Sequence, residues 1–499
     1  MANPHVDAFM KSVKELALTF DDVTLITQYA DFLPSETILE TRFSRNVKLN
    51  IPFISAAMDT VTEARMAIEM ARLGGIGVIH RGMTPADQAR HVAKVKHYLN
   101  GLIIDPIVFN ENQTVDSVLA TREKKGYGFL GFPIVNDLGA VTGILTSRDI
   151  KFLKKTNITI KEVMTTDLIT APHGTTIDKA FTIMRDHKVG KLPIIKRGKL
   201  VGLYSYTDVR NIIEGIEPLI NRDKKHRLLV AAAVGTNDHE RIALLVEEAV
   251  DVIIIDTAHG HSKGVIDMVG YIKKHYPAVD VVAGNVATRE GAQALMKAGA
   301  DGVKVGVGPG SICTTRVITG VGIPQITAVY EAMCGVGDEV PIISDGGIRH
   351  SGDVPKALVA GACAVMMGSI LAGTEESPGE KIIHQGRQFV VYRGMGSLGA
   401  MAASMSSRER YSQHDVNTEK LVPEGIEGLV PYAGTVEGVI QQFTGGLRSS
   451  LGYNGCRSVD ELRRKGMFRR ITSAGVREAH PHDVRISKEA PNYRTALNS

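Results

Sequence analysis

The stretch Gly306-Val-Gly-Pro-Gly-Ser-Ile-Cys-Thr-Thr-Arg316 carries the most explicit chemistry in the chain. Glycines at Gly306, Gly308 and Gly310 let the backbone approach a ligand closely or take a positive φ. Successive loop amides can cradle an anion. Cys313 follows, and a thiolate is an intrinsically strong nucleophile. An anion cradle beside a thiol points to covalent chemistry on a phosphorylated substrate. The apolar run 302–306 just before it reads as a buried strand, so Cys313 rides on a loop leaving a strand end.

Other reactive residues end similar apolar runs. Asp256-Thr-Ala-His-Gly-His261 ends the run 252–256, Asp345-Gly346-Gly347 closes the run 341–347, and Gly368-Ser369 follows 364–368. The last two pairs suit backbone N–H contacts to a phosphate. One glycine pair is an ordinary turn; several meeting at one end of one sheet would make a site. His480 and His482 stand close together, but no strong third ligand follows, so a transition-metal site is disfavoured.

These runs must be positioned by something. Eight of them, at 51–58, 74–80, 228–234, 252–256, 279–284, 302–306, 341–347 and 364–368, alternate with helix-like stretches such as 240–249, 264–275, 288–298 and 353–360. Near-continuous apolar strands alternating with helices signal a parallel sheet. Eight units predict an α/β fold of the (β/α)8 TIM-barrel type, with its active site at the carboxyl ends of the strands. After the eighth run, the polar segment 402–420 contains Arg410-Tyr411 and has the length and polarity of a lid at the barrel mouth.

The alternation is interrupted between the second and third runs. Phe132-Pro-Ile-Val135 followed by Gly143…Asp149 is echoed by Leu192-Pro-Ile-Ile195 followed by Gly202…Asp208, with a glycine-to-aspartate spacing of six in both copies. Two copies at this period predict a pair of small α/β modules, each ending in a helix (149–155 and 208–214), and not a solenoid. The pair resembles tandem cystathionine-β-synthase (CBS) modules, a family of adenine-nucleotide sensors. That resemblance implies ribose contacts for Asp149 and Asp208. Each aspartate could equally N-cap the helix that follows.

Composition excludes several classes. With 499 residues, roughly two to four domains are expected. A formal charge of +4 without a long basic tract does not imply nucleic-acid binding. No run approaches the ~18 apolar residues of a membrane span, and no signal peptide is read. Cys313, Cys334, Cys363 and Cys456 lack C-x-x-C spacing, which fits a reducing cytoplasm. Cys363 reads as a buried structural thiol.

The cysteine loop, Ser344-Asp-Gly-Gly347, Tyr392-Arg-Gly-Met-Gly-Ser-Leu-Gly-Ala-Met401, Arg410-Tyr411 and the inserted CBS-like pair together resemble the inosine-5′-monophosphate (IMP) dehydrogenase family over essentially the whole chain. The cysteine loop alone is shared with GMP reductase; the Tyr392 stretch and the Arg-Tyr pair favour the dehydrogenase. The resemblance implies a barrel of residues 1–100 and 218–499 with a mobile flap at about 392–422. It also implies a tandem CBS (Bateman) domain at 101–217, its copies at about 101–158 and 161–217. It implies oxidation of IMP to XMP with NAD, through a covalent purine adduct on Cys313 that water then hydrolyses.

By the same resemblance, Ser311, Gly347, Gly368, Ser369 and Tyr392 hold the IMP phosphate and Asp345, beside Gly346, the ribose. Arg393, Gly394, Met395, Gly396 and Glu424 belong to the substrate site, with Met395, Gly396 and Glu424 at the base. Asp256, Thr257, Ala258, Gly306, Val307 and Gly308 face NAD. Arg410 is the water-activating base, assisted by Thr315, Tyr411 and Glu424. Potassium (K+) is held by carbonyls of Gly308, Gly310 and Cys313, completed by Glu478, Ala479 and His480 of a neighbouring subunit. A homotetramer follows, with an octamer open through CBS pairing. ATP, GTP or a guanine alarmone could occupy the CBS sites.

Overall fold

The computed structural model of the protein describes residues 3–13, 16–98, 102–103, 106–125, 130–151, 153, 155–214, 219–411, 413 and 416–493. Residues 152 and 154 of the first expected module helix, 412, 414 and 415 of the polar segment, and the domain limits near 101 and 217–218 lie outside them. The chain divides into two compact units, one of residues 1–96, 219–223 and 229–499, the other of residues 97–218 and 224–228.

The larger unit is built on a closed barrel of eight parallel strands. In chain order they are β1 (Phe53–Ser55), β2 (Ile76–Ile79), β3 (Ala231–Val234), β4 (Val252–Asp256), β5 (Asp280–Val286), β6 (Gly302–Val305), β7 (Ile342–Asp345) and β8 (Ala364–Met367). Each falls on one of the eight apolar runs. The ring closes through Val365 of β8 beside Phe53 of β1, and through Ala231 of β3 beside Val78 of β2. Alternate residues share one core: Ile76 and Val78, Ala231 and Ala233, Val252 and Ile254. That is the period of two a strand imposes. Because the other faces are covered by helices such as Lys263–His275 and Arg289–Lys297, both sides of each strand are buried and the sequence runs apolar without alternation.

Several elements escape sequence periodicity. Helices Gln325–Val336 and Val436–Tyr453 flank the barrel. In the opening segment, Val23–Leu25 pairs antiparallel with Phe468–Arg470, setting Val23 against Arg470. The polar segment is framed by a three-stranded antiparallel sheet of β9 (Lys381–His384), β10 (Arg387–Arg393) and β11 (Glu427–Pro431). Cys363 is buried, as its surroundings predict. Among the described residues no helix is long and apolar enough to cross a membrane.

The smaller unit contains the repeat as two like-built halves. In one, Gly131–Val135 and Val141–Thr146 form a hairpin with Ile134 opposite Gly143. In the other, Lys191–Lys196 and Lys199–Ser205 form a hairpin with Ile194 opposite Gly202. Each hairpin shifts register at the next residue, Val135 and Ile195. The helices that follow are Ser147–Lys151 and Tyr206–Ile213, each starting two residues before its aspartate. Neither aspartate is therefore an N-cap. Asp149 instead sits in the first turn and accepts from the Thr146 amide at 2.7 Å and the Thr146 hydroxyl at 2.7 Å. This reaches back across the helix start, as a capping-box acid does.

Candidate active site

The carboxyl ends of the barrel strands enclose one cavity, and Cys313 lines it. The loop that carries Cys313 leaves β6 with Gly306 at φ +146°, where an added Cβ would sit 2.2 Å from the Asp345 carbonyl oxygen. Only glycine fits there. Gly308 also has positive φ, but Gly310 does not and an added Cβ would meet only ordinary contacts. The expectation of special backbone freedom at all three glycines is therefore corrected at Gly310. Further along, Cys313 bridges to Gly425, and the Thr314 amide donates to the Glu424 carbonyl at 3.0 Å. The loop is thus stitched to the chain that returns from the lid. The Cys313 thiol donates to Thr315 Oγ1 at 3.1 Å.

Beneath the cavity lies a buried polar hub that sequence reasoning missed. Lys304, in the middle of β6, donates to Asp256 Oδ1 at 2.8 Å and to Asp345 Oδ2 at 2.7 Å. It also meets Asn285 Oδ1. Asn285 Nδ2 donates to Asp345 Oδ2 at 2.9 Å and to the Gly306 carbonyl at 2.7 Å. The signal was present as a lysine inside the otherwise apolar run Gly302-Val-Lys-Val. A lysine buried among strands must pair, and it pairs with the two strand-end acids already singled out.

The part of the polar segment that carries Arg410 and Tyr411 is folded onto this cavity. Arg410 contacts Asp256 Oδ2, and the Ala258 amide donates to the Arg410 carbonyl at 3.3 Å. The Tyr411 ring lies against Gly396, where an added Cβ would come within 2.7 Å of Cζ. Burial lowers the Arg410 pKa from its ordinary value; interaction with Tyr411 opposes this and the charge of Arg81 adds to it. The Asp256 carboxylate lies against the guanidinium and favours its charged form. Burial raises the Tyr411 pKa.

The substrate-site candidates divide into two groups. Asp345, Gly346, Tyr392, Gly394, Met395 and Glu424 line the cavity. Gly347, Gly368, Ser369, Ser311, Arg393 and Gly396 do not form its wall. Of these, Gly368 stands where an added Cβ would be 2.9 Å from the Tyr392 hydroxyl, and Ser311 hydrogen-bonds Tyr392, whose pKa burial raises. Arg393 is turned away and pairs with Asp59 at 2.6 Å. Among the cofactor candidates, Asp256, Thr257, Ala258, Gly306, Val307 and Gly308 all line the Cys313 cavity, and Thr257, Ala258 and Val307 also line an adjoining pocket with Thr288 and Ile323.

Glu478 closes the short helix Ser473–Glu478, with Ala479 and His480 just beyond. Ala479 and His480 line a separate pocket with His350 and Tyr493 of the same chain, and none of the three lines the Cys313 cavity. Among the described residues no group of three or more His, Cys, Asp and Glu side chains is arranged to hold a metal ion.

This constellation can be compared with known proteins. The family profile for the IMP dehydrogenase / GMP reductase domain matches residues 17–482. The chain belongs to the IMP dehydrogenase / GMP reductase family. An inosine-5′-monophosphate dehydrogenase of Aquifex aeolicus is 53% identical over 97% of this chain and 98% of its own. One of Staphylococcus saprophyticus is 51% identical over 96% of this chain and 98% of its own. A crystal structure of a Cys-to-Ala variant of GMP reductase from Trypanosoma brucei, in complex with guanosine 5′-monophosphate, superposes with a TM-score of 0.80. It is 38% identical and covers 94% of this chain and 98% of its own. A match this long takes in most of the smaller unit, so within the family that unit alone does not separate the two named activities.

Proposed function

We propose that the chain is an IMP dehydrogenase that oxidises IMP to XMP with NAD, and the observation that carries this reading is Cys313 in a cavity closed by Arg410 and Tyr411. The Cys313 thiolate adds to carbon 2 of the hypoxanthine ring. That carbon would then give up a hydride, which a bound NAD would accept at its nicotinamide. The ring remains attached to sulfur as a thioimidate. Water then adds at carbon 2, the C–S bond breaks, and XMP and the free thiol are released. The sum is IMP, NAD+ and water giving XMP, NADH and a proton. A covalent intermediate divides one hard oxidation into two easier steps.

The residues present suit these tasks. Asp345 Oδ2 is engaged by Lys304 and Asn285, so a ribose diol would be met by Oδ1. Ser311, Tyr392 and Gly368 would form the phosphate end with Gly347 and Ser369. The adjoining pocket would hold the dinucleotide, whose ribose would take Asp256. That carboxylate now pairs with Arg410, so lid and cofactor compete for one group. Hydride transfer requires the lid away and hydrolysis requires it closed. When water enters, a neutral Arg410 would accept its proton, with Tyr411, Thr315 and Glu424 nearby.

The potassium site is part of the same proposal and is incomplete in one chain. The Gly310 carbonyl already accepts the Cys313 amide at 3.1 Å, and Glu478 to His480 would have to come from a second copy. The homotetramer rests on that need. The smaller unit is proposed to bind adenine or guanine nucleotides near Asp149 and Asp208. Asp208 lies close to Lys191, whose pKa burial lowers and Asp208 supports.

The test is to mix the protein with IMP and NAD and follow NADH absorbance. Formation of NADH supports the reading. Consumption of NADPH with GMP, and no NADH from IMP, would establish a GMP reductase instead, the reading favoured by the Trypanosoma brucei likeness. An activity titration with ATP and GTP beside a measurement of oligomer mass tests the regulatory unit.

A further inference from the structure

Arg81 lies two residues past the end of β2 and its side chain is 4% exposed. Its Nη1 donates to Glu409 Oε2 at 2.6 Å and lies 3.5 Å from Asp238 Oδ2. Asp238, just beyond β3, is held by the Gly235 amide at 2.7 Å and paired with Arg241 at 3.2 Å. Gly235 is the floor of this notch. A Cβ there would stand 2.1 Å from Arg81 Nη1 and 2.8 Å from Glu409 Oε2. Two further bonds tie the lid to the same place. Asn237 Nδ2 donates to Glu409 Oε1 at 3.2 Å, and the Ser406 hydroxyl donates to the Arg81 carbonyl at 2.9 Å. The residue after Glu409 is Arg410, seated on Asp256 at the end of β4.

We propose that Arg81 and Glu409 form the latch that holds Arg410 and Tyr411 over Cys313, and are positioning residues for hydrolysis of the covalent intermediate. This deepens the reading of the same site given above and rests on it. A buried guanidinium is costly without a carboxylate. Glu409 gives Arg81 its shorter contact, at 2.6 Å against 3.5 Å to Asp238, and does so only when the lid is closed, so the pair biases the lid toward closure. Asp238 stays on the barrel beside Arg81 when Glu409 leaves, so the open lid remains accessible. The bias toward closure is then set by what the Glu409 contact adds to the one Asp238 already makes. Because hydride transfer uses the open lid and hydrolysis the closed one, weakening the latch slows only the second step.

The experiment compares wild type with Arg81→Met and Glu409→Gln, using rapid mixing with IMP and NAD and mass spectrometry of acid-quenched enzyme. Glu409 sits on the lid, partly exposed, so its variant tests the latch even where Arg81→Met does not fold. The expected result is a first-turnover NADH burst within about twofold of wild type and steady-state turnover about ten- to hundredfold lower. The purine adduct on the enzyme then accumulates during turnover. Steady-state turnover within twofold of wild type for Glu409→Gln overturns the latch. So does an equal loss of burst and turnover without adduct. Absence of both burst and adduct in wild type would instead overturn the underlying dehydrogenase reading.

Discussion

At the scale of the residue, Cys313 and Arg410 carry separable tasks. Cys313→Ala removes the group proposed to attack carbon 2. Turnover of IMP should fall by at least about a thousandfold with no adduct in the mass spectrum; a variant that keeps its rate would end the covalent mechanism. Arg410 acts as a base only when neutral. Burial lowers its pKa, which raises the neutral fraction at any given pH, so hydrolysis-limited turnover should climb as pH increases above neutrality. The climb should vanish in Arg410→Gln, whose NADH burst is retained; a pH profile unchanged by that substitution would leave Arg410 with orientation alone. Cys313 stood out in the sequence by type and company, and Arg410 through the family resemblance. Lys304 and Asn285 did not, because a lysine in an apolar run has no visible partner until distant strands are brought together.

At the scale of the element, β6 is the strand on which the site depends. It places Lys304 between the acids that end β4 and β7. Removing the cation leaves Asp256 and Asp345 beside each other with no charge from Lys304 between them. Lys304→Met should therefore cost about 3–5 kcal/mol, read as a lower midpoint in urea unfolding at unchanged slope. A loss under about 1 kcal/mol would mean that water or Arg410 takes over the neutralisation. Strand positions were legible because a barrel strand is covered on both faces and must be apolar throughout. The sheet of β9 to β11 was not, since its strands are exposed on one side and read as polar connection; the β9 pattern is half-buried to exposed along its length.

At the scale of the whole molecule, the barrel is interrupted yet closed. The chain leaves after β2 and returns before β3, and those two strands are direct neighbours in the ring. The barrel's hydrogen bonding is thus complete without the inserted residues, and each unit has its own core. Units with separate cores can fold apart. Replacing residues 101–217 by a short Gly/Ser linker should leave one cooperative unfolding transition and IMP turnover within about threefold of the full chain. Any response to ATP or GTP should disappear. Loss of soluble protein on excision would mean that the units stabilise each other.

The sequence by itself determined the eight barrel strands and the residues at their ends, because apolar runs, glycine spacing and a repeat are properties of neighbours along the chain. It also marked Cys313, Asp256, Asp345 and Arg410 as chemical. Only the tertiary structure decided which of them meet. Arg410 and Asp256 are distant in sequence and touch because the lid folds back across the barrel mouth. Asp149 reaches backward into its own helix start instead of capping it, since the helix begins earlier than its composition announces. The Lys304 hub and the Arg81–Glu409 pair exist only where strand ends converge, as a charge removed from water is tolerated only when a partner of opposite sign is brought to it by the fold.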